Sequence, residues 1–412
     1  MESNVHNYQF KKNNDKLKML LEFATRNIKY YNNTLTNPIE YYLENYENWK
    51  EIPILKKDDI QINPELFLID NAKKSKNIKC SYTSGSTGKP LRIYKDVASE
   101  MILAKKLWDL RRLWEKDICN WKLLYFYRNV EDIYRNNILH LGKNQNALDL
   151  SNCALSKYCD EIVANHPQWI IGPPIATSKL ANYILKNNIM ISTIKYAELY
   201  GEMLLPNYKM SIEKAFKCKT INLYGAREFN VLSYECPCGN MHPLDDYFFY
   251  EIINEKVDNN IFTGQLVVTS LINKAMPLIR YLIGDICSLS IIDDSCKFNK
   301  SMLSLIPLKA RSANILHVNS KIYSSGVIDD IFSKFIEKYP LAIEQFQCIQ
   351  KSRNEFDVLL ISGIDFSTEK EKELQNTFNE YFGQVNINIK YVENINFEKS
   401  LKSKNFLNLN KD

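Results

Sequence analysis

The run Cys80-Ser81-Tyr82-Thr83-Ser84-Gly85-Ser86-Thr87-Gly88-Lys89-Pro90-Leu91-Arg92 gathers small donor groups into one short stretch. Glycines let backbone N–H groups come close to an anion, hydroxyls add donors, and Lys89 supplies a point charge. That is the chemistry of a polyphosphate cradle. The two glycines of Gly85-Ser86-Thr87-Gly88-Lys89 stand too close for the G-x-x-x-x-G-K-[ST] pattern, so this is not that loop. A flexible Ser/Gly linker is the plainer reading, but Tyr82 in front and Lys89-Pro90 behind speak against it. Leu91-Arg92-Ile93-Tyr94-Lys95 alternates like a strand, which predicts that the loop joins two strands rather than opening a helix.

Two further constellations carry chemistry. In Ile221-Asn222-Leu223-Tyr224-Gly225-Ala226-Arg227-Glu228-Phe229 an apolar strand ends in Tyr-Gly, with a carboxylate three residues after the glycine. A solvated Glu at a strand end is the plain reading of Glu228. In Glu235-Cys236-Pro237-Cys238-Gly239-Asn240-Met241-His242, two thiols and an imidazole wrap around a Gly turn and can converge on one tetrahedral Zn²⁺. A fourth ligand is needed, and a tight turn with reduced thiols is the alternative.

The string Tyr82–Pro90 resembles the phosphate-binding signature of adenylate-forming enzymes, which activate a carboxylate with ATP to an acyl-AMP. The rest of the chain looks like the phenylacetate-CoA ligase group, and most like its capsule-biosynthesis (CapK-like) branch. The resemblance implies that Thr83, Ser84, Gly85, Ser86, Thr87, Gly88 and Lys89 lie on the phosphates. Tyr224, Gly225 and Ala226 would flank the adenine, and Glu228 would hold Mg²⁺. Met276-Pro277-Leu278-Ile279-Arg280-Tyr281-Leu282-Ile283-Gly284-Asp285 is similar to the segment whose aspartate, here Asp285, accepts both ribose hydroxyls. Arg280 would pair with a carboxylate or support the loop. Arg311 matches a nucleotide contact at the hinge. The Gly172-Pro173 turn resembles a segment lining the acyl side of the cleft, and Tyr82 and Glu202 are assigned with it to substrate binding, Glu202 within an acidic turn placed near the adenine. A terminal lysine, Lys402 or Lys404, would contact the carboxylate and α-phosphate. Some relatives carry another cysteine pair before the hinge; here Cys296 stands in that region, giving Cys236, Cys238, His242 and Cys296 as a zinc set with Cys287 in reserve.

The chain departs from the family pattern at several points. Leu282-Ile283 replaces its usual Arg-Thr pair, Ala310 and Ser320 replace glycines, and Ala313-Asn314 replaces the hinge aspartates. The tail has no glycine before its lysines. The activity implied is ATP- and Mg²⁺-dependent formation of an acyl-adenylate from a small carboxylic acid. Acyl transfer to a thiol such as coenzyme A, or to an amine, would follow. Two alternatives stay open: transfer of AMP to another cofactor, and a non-catalytic relative that binds nucleotide or a partner protein.

Composition bounds the rest. At 412 residues two domains are the natural expectation, and 45% hydrophobic residues can bury a large core. The net charge of +5 is spread along the chain, so no nucleic-acid partner is expected. No run reaches the roughly 20 apolar residues of a spanning helix, and Met1–His6 lacks the apolar core of a secretory leader. Ten cysteines without a regular framework fit a reducing, cytoplasmic setting. No membrane partner is expected, and a homodimer is compatible with the sequence.

Helices are expected over Asp15–Ile28, Val97–Trp114 and from Ala176, a short one near Asp58, and strands at Trp121–Tyr127, Phe262–Thr269 and Met276–Asp285. Beyond the hinge the pattern runs helix (Val327–Glu337), strand (Phe356–Ile361), helix (Thr368–Phe382), strand (Val385–Val392). The fold expected is α/β: a large N-terminal ATP- and carboxylate-binding domain over 1–310, with mixed sheets and flanking helices. A small mobile α+β C-terminal lid over 311–412 completes it.

Overall fold

A computed structural model describes residues 5–82, 91–126, 137–141, 150, 152–292, 296, 301–311, 315–319, 321–324, 326–339, 341–395 and 406–408. They form two compact units: Met1–Lys116 with Tyr224–Leu308, and Asp117–Leu223 with Lys309–Asp412. Both are mixed α and β.

In the first unit the helix Val5–Asn27 buries Leu17, Leu20, Leu21 and Ala24 on the predicted face. It starts ten residues earlier than the apolar pattern foretold, because its first turns bury polar side chains. His6 Nε2 accepts from the N–H of Ile252 at 3.0 Å. Gln9 exchanges bonds of 3.0 and 3.2 Å with the carbonyl and N–H of Tyr250. Ile252 and Tyr250 lie on Phe248–Asp258, the end strand of a sheet that continues through Ile261–Ser270, Tyr281–Ile291 and Leu303–Arg311. The helix thus supplies side-chain partners to backbone groups of a sheet edge, which an unprotected edge would leave open.

Ile78–Tyr82 and Arg92–Asp96 pair antiparallel with Tyr82 opposite Arg92, so the glycine loop does join two strands. Residues 83–90 themselves lie outside the described residues. Asp96 ends the second strand and caps the helix Val97–Arg112, accepting from the N–H of Ser99 at 2.7 Å. The segment expected as one strand, Met276–Asp285, is a strand only from Tyr281. Arg280 has φ +51°, a left-handed conformation that breaks extended pairing.

In the second unit Ile138–Leu141, Leu123–Phe126, Trp169–Gly172, Tyr196–Tyr200 and residues 219–223 of the strand Lys219–Ala226 stand side by side in that order, all parallel. The helices Asn152–Asn165, Pro174–Lys186 and Pro206–Phe216 connect and cover them. Such strands read as near-continuous apolar runs, and Trp169–Gly172 is buried at every position. The C-terminal segment of this unit orders its strands Asn386–Tyr391, Glu355–Ser362, Ile343–Ser352 and Phe406–Asn408, with helices Gly326–Lys338 and Thr368–Phe382. One apolar core runs through the unit and includes Phe332 stacked on Phe346 at 3.6 Å. Ile343–Ser352 escaped the apolar-pattern reading because Gln345 and Gln350, both buried, interrupt its alternation.

Candidate active site

The strand Lys219–Ala226 turns sharply and re-emerges as Asn230–Glu235. Glycine is required inside that turn: a Cβ on Gly225 would sit 1.9 Å from the carbonyl oxygen of Asn230. Asn230 itself adopts φ +63°, which Asn tolerates better than most residues. Phe229 anchors the turn, buried edge-on against Phe248 and tilted against Tyr281. Glu228 is thereby held half-buried at the tip.

Two tyrosine–carboxylate bonds connect this turn to the strand Tyr281–Ile291. The Tyr281 hydroxyl donates to Glu228 Oε1 at 3.1 Å, and the Tyr224 hydroxyl donates to Asp285 Oδ2 at 2.9 Å. The Cys287 thiol points at the Tyr224 oxygen from 3.8 Å. Burial raises both phenols above their usual range, reinforced by Glu228 for Tyr281 and by Cys287 and Asp285 for Tyr224. They stay protonated, and so remain donors, at any working pH.

Tyr281 is fixed from behind. The N–H of Leu55 bonds the Arg280 carbonyl and the N–H of Leu282 bonds the Leu55 carbonyl, both at 2.9 Å, so Leu55 brackets Tyr281. Arg280 pairs with buried Glu251, Nε lying 3.1 Å from each oxygen, and also donates to the carbonyls of Lys50 and Ile52. Arg280 therefore pairs with a carboxylate and supports the neighbouring chain at once.

Sequence reasoning passed over Lys95. The alternation of Leu91–Lys95 puts it on the same face as Leu91 and Ile93, and it is 5% exposed, bonded to Asn230 Oδ1 and 3.8 Å from Glu100. Burial lowers its ammonium below the usual lysine range, with Arg227 adding to the effect against the pull of Glu100 and Glu228. The period-two placement beside Leu91 and Ile93 is the signal that could have found it.

In the second unit Gly172 lies where a Cβ would meet Phe126 Cδ2 at 2.5 Å, and Pro173 caps the helix Pro174–Lys186. The Glu202 carboxylate reaches the N–H of Ile175 in the first turn of that helix, at 3.4 Å. Gly172, Pro173 and Glu202 are thus brought together around one helix N-terminus, where a carboxylate is favoured. Tyr82 ends its strand and Arg311 ends Leu303–Arg311. Thr83 to Lys89, Lys402 and Lys404 lie outside the described residues.

The cysteine turn does close on itself. The sulfurs of Cys236, Cys238 and Cys296 lie within 4.8 Å of one another, with Cys236 and Cys296 3.4 Å apart. His242 Nε2 stands 3.1 Å from the Cys296 sulfur, and Nδ1 faces the Leu303 carbonyl at 3.2 Å. A tetrahedral Zn–S length of ~2.3 Å implies sulfurs ~3.8 Å apart, a spacing close to that of these three sulfurs. A proton on Nδ1, donated to Leu303, turns the Nε2 lone pair toward the Cys296 sulfur. Burial, with the neighbouring Cys296 sulfur and against the backbone N–H groups, pushes the Cys236 thiol up to about 11. Cys287 faces Tyr224 instead.

The architecture matches 2-hydroxyisobutyryl-CoA ligase, solved in the postadenylation state with R3-HIB-AMP. The TM-score is 0.73 and identity 13%, over 99% of this chain and 90% of that one. Residues 320–408 match the model of the CapK C-terminal domain. Protein CapK of Staphylococcus aureus is 25% identical over 288 residues, 67% of this chain and 62% of that protein. The phenylacetate-coenzyme A ligase of Thermus thermophilus is 25% identical over 171 residues, 39% of this chain and 38% of its own. The chain therefore spans less than two thirds of these curated relatives.

Proposed function

We propose that the chain activates a carboxylic acid with ATP and Mg²⁺ as an acyl-adenylate and passes the acyl group to a thiol or an amine. The observation that carries this reading is the pairing of Glu228 and Asp285 with tyrosines across two adjacent strand–turn segments. One carboxylate is suited to a divalent cation and the other to a diol. In this reading Thr83 to Lys89 bind phosphates, Tyr224, Gly225 and Ala226 flank adenine, and Arg311 adds a nucleotide contact. Tyr82, Gly172, Pro173 and Glu202 belong to the acyl side.

The substrate carboxylate is ionised at pH 7 and attacks the α-phosphorus, breaking the bond to pyrophosphate, so no base is needed. Bound Mg²⁺ would neutralise phosphate charge. The chain's own share is positioning and fixed charge: Lys89 on the phosphates, Glu228 toward the cation, and Lys402 or Lys404 at the α-phosphate. Residues 311–412 would act as the C-terminal lid between the two half-reactions. Cys236, Cys238, His242 and Cys296 would hold a structural Zn²⁺, all four ligands coming from the protein.

The deciding experiment is carboxylate-dependent exchange of labelled pyrophosphate into ATP, over aryl, fatty and amino acids. Exchange with an acid establishes adenylation and names the substrate class. Silence across the panel with ATP binding intact shifts the reading to AMP transfer or a non-catalytic nucleotide binder.

A further inference from the structure

We propose that Tyr224 and Tyr281 are positioning residues of the nucleotide site, each hydroxyl fixing the carboxylate contributed by the other's segment. Tyr281 sets Glu228 for the cation, and Tyr224 sets Asp285 for the ribose. The inference rests on the nucleotide-site reading above.

The bonds are crossed. Tyr224 opens the turn that contains Glu228 but bonds Asp285, while Tyr281 opens the strand that contains Asp285 but bonds Glu228. Each segment therefore limits the other's freedom, and the spacing of the two carboxylates is fixed without a ligand. A hydrogen bond to an ionised acceptor is stronger than a neutral one, and a neutral phenol orients the carboxylate without cancelling its charge. The Tyr281 bond engages only Oε1 of Glu228, so Oε2 can be offered to a cation.

The backbone is arranged to hold Tyr281 still. Leu55 bonds to both of its neighbours, and Arg280 is locked in a left-handed conformation by Glu251 and two carbonyls. Thr269 Oγ1 further accepts from the Arg280 N–H at 2.9 Å. Such over-determination of a strained position is typical where a side chain must be aimed. Tyr224 is fixed by the closed turn at Gly225 and by the Cys287 thiol.

Tyr281→Phe and Tyr224→Phe keep the rings and remove only the hydroxyls. Calorimetry would measure ATP binding across a Mg²⁺ series, and again with 2′,3′-dideoxy-ATP in place of ATP. Tyr281→Phe is expected to raise the Mg²⁺ concentration for half-maximal binding about tenfold, the effect of one charge-assisted hydrogen bond, while keeping the preference for ATP. Tyr224→Phe is expected to cut that ribose preference about tenfold and leave the Mg²⁺ dependence in place. Thermal melting checks that both variants fold.

Two outcomes overturn the proposal: variants indistinguishable from the parent in both readouts, or variants that lose both together. If the parent binds Mg²⁺–ATP but no acid supports exchange, adenylation fails as a reading while these binding measurements still decide the tyrosines. A parent chain that binds no ATP overturns both.

Discussion

Arg280 lays its guanidinium against Glu251, Nε 3.1 Å from each carboxylate oxygen, with both side chains essentially removed from solvent. Tyr46 and Trp49 donate to the same two oxygens at 3.2 Å. The pair joins the site strand to the N-terminal helices at the residue immediately before Tyr281. Removing one member of a buried pair leaves an uncompensated charge, at a cost of about 3–5 kcal/mol. Arg280→Leu is therefore expected to lower the unfolding free energy by that order in urea melts. A loss under ~1 kcal/mol would show that the pair holds little together.

Glu228→Ala and Lys89→Ala should each reduce pyrophosphate exchange by about two orders of magnitude or more, as expected for losing preorganised charge stabilisation. Full exchange in either variant removes that residue from the site.

Metal analysis of protein purified in reducing, chelator-free buffer should find about one zinc per chain, lost in Cys236→Ser together with thermal stability. Parent protein without zinc ends the metal reading, and the four side chains would then be a thiol cluster.

The first helix carries a pH-dependent contact. Burial, and secondarily Lys50, lower the His6 imidazole from 6.5 to about 4, which suits a neutral ring accepting from the Ile252 N–H. A depressed histidine means that the unfolded chain binds the extra proton between those values. Its contribution is thus complete above pH 6.5 and is lost as pH falls toward 4. About 2 kcal/mol should be gone by pH 5, from linkage. Melts of the parent and His6→Gln at pH 7 and pH 5 test this: the parent should lose more stability than the variant. Equal losses would remove His6 from the account.

Gly225→Ala should fail sterically, since the added carbon would lie 1.9 Å from a backbone oxygen. Overpacking of that severity is expected to cost about 2 kcal/mol or more and to open the turn that presents Glu228. An unchanged melting temperature would show that the turn can relax.

The sequence alone determined what depends on short spacing. The strand–loop–strand unit and the closed turn at Tyr224-Gly225 follow from residues a few positions apart. Helix faces such as Leu17, Leu20, Leu21 and Ala24 were legible because their burial repeats with the helical period. What escaped was contact between distant residues. His6 and Gln9 look like surface polar groups until the strand they serve is beside them, and the partners of Lys95, Asn230 and Glu100, are met only in the folded chain. The two tyrosines stood in recognised motifs, but their partners lie 53 and 61 positions away. Only the folded chain places Tyr224 against Asp285 and Tyr281 against Glu228, because a hydrogen bond's partner is set by tertiary packing and not by residue type.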